Sequence, residues 1–91
     1  MIRLTENLTG IYCIINKVNS KIYIGLSVNI KKRWVEHKNR LNNQTHHNKY
    51  LQNAWNKYGQ DNFEFKILEL CSKDKLKNRE KYNIAKYNTF N

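Results

Sequence analysis

The stretch GIYCIINKVNSKIYIGLS, residues 10–27, decides the fold. Two runs rich in Ile and Tyr, 10–16 and 21–27, flank the polar tetrapeptide Lys17-Val18-Asn19-Ser20, which has the length of a hairpin turn. β-Branched and aromatic side chains suit strands, and two such runs joined by a short polar turn read as a β-hairpin. Ile11, Cys13 and Ile15 alternate with Tyr12, Ile14 and Asn16; Ile22, Ile24 and Leu26 alternate with Tyr23, Gly25 and Ser27. Both faces carry apolar side chains, so each is expected to be at least partly covered.

Beyond the hairpin the period changes. Ile30, Trp34, His37 and Leu41 recur at helical spacing, with Ser27 or Asn29 available to cap the start. Residues 42–47 form a polar loop. Leu51, Ala54, Trp55 and Tyr58 make the stripe of a second helix, and Gly59 stands where helices commonly end. In residues 63–71, Phe63, Phe65 and Ile67 alternate with Glu64, Lys66 and Leu68, which predicts a third strand. Ser72 can cap a last helix bearing Leu76, Glu80, Ile84 and Tyr87 on one face. The predicted order is β-β-α-α-β-α in a single domain, 1–91, without internal repeat. That order fits an α+β fold: a small three-stranded, largely antiparallel sheet flanked by helices.

Charge narrows the partners. Seventeen Lys and Arg against seven Asp and Glu give a formal +10. A domain so basic attracts polyanions, and nucleic acid comes first among them. Cys13 and Cys71 stand alone, without the spacing of a zinc site, and read as buried thiols of a reducing cytoplasm. No run is long or apolar enough to cross a membrane. At 40% hydrophobic residues the chain has the material for a core, which excludes wholesale disorder.

Polar residues interrupt the helical stripes. Arg33 and His37, four apart, share the face of Ile30 and Trp34. Arg33 alone could sit at the rim with its head in water, but the pair together points to a site. Glu80 lies between Leu76 and Ile84, and a carboxylate there needs a cation. Two partners are open to it: Arg33 in a structural salt bridge, or a metal ion. Tyr12 and Tyr23, taken singly, are ordinary strand residues.

In combination these residues resemble the GIY-YIG nuclease family. Its signature is Gly-Ile-Tyr, a turn, Tyr-Ile-Gly, a helix with Arg and His, and a later helix with one Glu. Here these are Gly10-Ile11-Tyr12, Tyr23-Ile24-Gly25, Arg33, His37 and Glu80. The resemblance extends through 56–59 and 62–65 and covers nearly the whole chain. It implies a homing-type or stand-alone DNA endonuclease with a one-metal mechanism. Tyr12 is expected to act as base and Tyr23 to assist it. Arg33 is expected on the phosphate, and His37 to touch it or relay the proton. Glu80 would hold one divalent metal, Mg²⁺ or Mn²⁺.

An unperturbed tyrosine titrates near pH 10, so a base role requires Arg33 and the metal to favour the phenolate, with activity rising through mildly alkaline pH. Lys21, Lys31, Lys32 and Lys38 are expected to contact DNA phosphates. Many relatives carry an aromatic residue where this chain has Asn83, and continue to a Gly-Tyr-Asn whose Asn supports the site; Asn88 is the expected substitute. Double-stranded or branched DNA is the expected partner, read by a separate recognition domain or subunit. The alternative is a non-catalytic nucleic-acid-binding module that keeps the fold.

Overall fold

Strand propensity and turn chemistry agree in the hairpin. In the computed structural model, which describes residues 7–87 and 89–91, β1 (Gly10–Asn16) pairs antiparallel with β2 (Ile22–Ser27). The turn is closed from Asn16, whose carbonyl accepts from Ser20 N at 2.8 Å and whose Oδ1 accepts from Val18 N at 3.0 Å. Ser20 takes the left-handed backbone, φ 64°, that the reversal requires. β3 (Phe63–Leu70) adds antiparallel on the other side of β1, giving the order β2-β1-β3. The outer edge of β2 is covered as well. Phe90 N donates to Ile22 O at 2.7 Å, and the Asn91 amide exchanges two 2.8 Å hydrogen bonds with the backbone of Ile24. Unpaired strand groups there are thereby satisfied.

The three helices divide between the sheet faces. α1 (Ile30–Asn42) is capped by Asn29, whose side chain accepts from Lys32 N. α2 (Lys49–Tyr58) is capped by Asn48 and ends at Gly59, φ 84°. Both lie over Tyr12, Ile14, Tyr23 and Phe63, with Ile30, Leu41, Leu51 and Trp55 filling the space between. α3 (Leu76–Lys86) packs Leu76 and Ile84 against Ile11, Cys13, Ile22 and Ile24 on the opposite face. The apolar character of both faces of the hairpin is therefore a matter of burial on both sides.

Three details differ from the sequence expectation. Ser72 does not cap the last helix with its side chain: a 3₁₀ turn, Lys73–Lys75, intervenes, and the Ser72 carbonyl takes Lys75 N instead. Tyr87 lies past the end of α3 and is exposed, with the Lys86 ammonium over its ring. Cys71 falls just beyond β3, half-buried. Trp55 is core, whereas Trp34 is half-buried and set edge-on against Tyr12 and Phe65. No helix among the described residues is long and apolar enough to cross a membrane.

Candidate active site

Register brings the first two site residues together. Tyr12 pairs with Gly25 and Ile14 with Tyr23, so both phenols leave the same face of the hairpin, under α1. The Tyr12 ring lies directly over Gly25. A Cβ at position 25 would collide with the phenol carbon and oxygen, so glycine there is a steric requirement of the tyrosine. At Gly10 a Cβ would strike the backbone of Glu69 and Leu70, so this glycine allows β1 and β3 to close. Each tripeptide thus owes its glycine to a specific close approach.

From Tyr12 a line of hydrogen bonds runs into the loop between α1 and α2. Tyr12 Oη lies 2.6 Å from His37 Nε2, and His37 Nδ1 lies 2.7 Å from His46 Nε2. The far end is fixed by a group that can only donate: Asn48 N–H gives a 3.0 Å bond to His46 Nδ1. A neutral His46 therefore carries its proton on Nε2 and donates it to His37 Nδ1. A neutral His37 then carries its proton on Nε2 and donates to Tyr12 Oη. Asn48 meanwhile caps α2 with its side chain, Oδ1 to Leu51 N at 3.0 Å, so the helix start holds the end of the line in place. Alongside, Tyr23 Oη meets His47 Nε2 at 3.1 Å, and the His46 and His47 rings stack 4.5 Å apart.

Electrostatics keep both histidines neutral. Burial, reinforced by the Arg33 charge, lowers the His37 pKa to about 3; burial and His47 lower that of His46 to about 4. The Tyr12 hydroxyl is pushed well above its ordinary value, chiefly by burial and then by Tyr23, against a downward pull from Arg33. Arg33 pulls toward the phenolate as expected of it, but with Tyr12 only 1% exposed desolvation outweighs the guanidinium alone. Tyr23 is raised too, by burial first.

Glu80 is half-buried on α3, and its charge is felt at both tyrosines. Burial raises its pKa. Of the two partners open to it, Arg33 is taken by Glu36 at 3.1 Å, and Glu80 makes no ion pair among the described residues. No cluster of three His, Cys, Asp or Glu side chains suited to a metal gathers among them either. A desolvated lone carboxylate fits a hard cation that keeps most of its own water, the habit of Mg²⁺.

A family model described as the GIY-YIG catalytic domain matches residues 8–91. The chain belongs to the GIY-YIG family. It is 37% identical over 83 residues to an intron-associated endonuclease of Enterobacteria phage T4, covering 89% of this chain and 34% of that protein. The catalytic domain of the homing endonuclease I-TevI superposes with a TM-score of 0.86 at 35% identity, over 91% of this chain and 96% of that one. A second structure of that domain gives 0.85 at 34% identity, over 92% of each. The α+β fold follows from these likenesses.

Within this GIY-YIG domain, the structure brings Tyr12, Tyr23, Arg33 and His37 together. His37 is buried with both ring nitrogens engaged, Nε2–H toward Tyr12 and Nδ1 toward His46, so this hydrogen-bond direction fits neither of its two expected roles, phosphate contact or acceptance of the phenolic proton. His46 and His47 were outside the sequence expectation, because loop residues carry no periodic pattern; the tandem pair was the one available signal. Lys31 and Lys32 are exposed on α1, while Lys38 lies over the Phe65 ring at 4.9 Å and Lys21 over Phe90 at 5.2 Å. Asn88 lies outside the described residues. Cys13 is a buried thiol raised to about 11, chiefly by burial, and chemically quiet.

Proposed function

We propose that this domain is a metal-dependent DNA endonuclease that uses Tyr12 as the base toward water. The observation that carries the reading is the one-way hydrogen-bond line from Asn48 N–H through His46 and His37 to Tyr12 Oη. Its last member presents an N–H to the phenol oxygen, and Arg33 adds positive charge there. Donors so arranged stabilise a phenolate once one forms. His37 is then a donor that holds the base, and the phenolic proton departs to solvent.

The chemistry follows in order. Arg33 releases Glu36 and neutralises non-bridging oxygens of the attacked phosphate. The Tyr12 phenolate takes a proton from water as that water's oxygen bonds to phosphorus, while the bond to the 3′ oxygen breaks. Tyr23, held by His47, orients the water or a phosphate oxygen. Glu80 would hold one divalent ion, Mg²⁺ or Mn²⁺, which supplies charge stabilisation at the leaving oxygen. The +10 charge, with Lys31 and Lys32 exposed, supplies backbone attraction without sequence reading. Because the chain spans about a third of the phage relative's length, a separate recognition domain is part of this proposal.

The test is incubation of supercoiled plasmid with Mg²⁺ or Mn²⁺, comparing wild type with Glu80→Ala. Nicking by wild type alone, with DNA binding kept in both, supports the enzyme. Binding in both with no nicking in either supports a non-catalytic module.

A further inference from the structure

β3 does not keep its alternation to the end. Tyr12 pairs with Ile67 but the neighbouring Ile11 pairs with Glu69, so Leu68 is an extra residue in the ladder. Without that bulge, Glu69 would follow Phe63, Phe65 and Ile67 onto the tyrosine face. With it, Glu69 shares the face of Ile11 and lies against α3. There Glu69 Oε1 accepts from Arg79 Nε at 2.7 Å and from Asn83 Nδ2 at 2.9 Å. Asn83, itself buried, also donates to the Arg79 carbonyl at 2.8 Å. Arg79 and Asn83 are four apart on the helix, so one carboxylate fixes both the rotation and the height of the turn that carries Glu80.

We propose that Glu69, aimed by the bulge, is a positioning residue that sets the Glu80 carboxylate for its cation. The inference rests on the reading of Glu80 as the metal-holding residue. Glu69, Arg79 and Asn83 together form a polar clasp between β3 and the helix that carries Glu80. Glu69 touches neither substrate nor ion in this account and acts through Arg79 and Asn83 alone.

The experiment measures Mn²⁺ affinity by electron paramagnetic resonance, on duplex DNA, in a Tyr12→Phe background that holds substrate uncut. Glu69→Ala is expected to weaken Mn²⁺ binding by about tenfold, within the range for residues that orient metal ligands, with DNA affinity unchanged. Glu69→Gln, which keeps an acceptor oxygen for Asn83, should recover most of it. Phe63→Leu, a core change remote from α3, controls for lost stability and should leave the ion affinity alone. Unchanged Mn²⁺ affinity in folded Glu69→Ala or in folded Arg79→Ala overturns the proposal. Equal Mn²⁺ binding by the parent and a Glu80→Ala control overturns the reading of Glu80, and the proposal with it.

Discussion

In the proposed mechanism the chemistry turns on Tyr12, and the environment of this residue is contradictory in an informative way. Burial holds the phenol neutral, while Arg33 and the His37 N–H wait for its anion. Because the hydroxyl is raised above its ordinary value, the phenolate fraction grows tenfold per pH unit throughout the neutral and alkaline range. Single-turnover cleavage should therefore climb with pH through mildly alkaline solution without a plateau. No inflection should appear near pH 6.5, since His37 and His46 stay neutral down to about 3 and 4. A second outcome belongs to the same residues. Nitrogen NMR of the imidazoles should find His37 and His46 both protonated on Nε2 and bare on Nδ1; a His37 proton on Nδ1 contradicts the donor role. Arg33 and His37 were visible in the sequence because they break a pattern, Tyr12 only through the family signature. His46 breaks none, being in a loop, and only the fold shows that it stands behind His37.

At the scale of elements, the hairpin was legible because turn length and alternation both constrain it, and the structure supplies its register. Its glycines were legible as a signature but not as sterics, since neither close approach is local in sequence. Gly25→Ala tests the point: the Tyr12 ring must move. Cleavage should fall by about a hundredfold, the scale of a misplacement of roughly 1 Å, and stability by about 1–3 kcal/mol, typical of overpacking. Thermal melts and single-turnover rates measure both; a fully active variant would show that Tyr12 can do its work away from Gly25. The bulge at Leu68 was not legible, because Leu68, Glu69 and Leu70 continue an acceptable alternation, and only the pairing with Gly10 and Ile11 exposes it. The 3₁₀ turn after Ser72 escaped for a similar reason: a serine before a charged run looks like any cap.

Across the whole molecule, charge and pH leave measurable traces. His37 and His46 titrate lower when folded than their unfolded value near 6.5, so below that pH the unfolded chain binds more protons. Their contribution to stability is complete above about pH 6.5 and is lost as pH falls toward 3. Melting temperature should decline over that window, and less so for His46→Gln, by calorimetry or circular dichroism. DNA affinity should fall steeply with salt, and Lys31→Ala should reduce the slope of log affinity against log salt by about one. The net charge points to a polyanion partner from composition alone. What composition could not give is the inward polarity of the site, which depends on a backbone amide at Asn48 meeting a histidine two residues before it. The most direct measurement is single-turnover cleavage of supercoiled DNA with Mn²⁺ by wild type and Tyr12→Phe. The account predicts loss of at least about a hundredfold, the lower range for removing a general base, with DNA binding intact. Cleavage at the wild-type rate by Tyr12→Phe contradicts it.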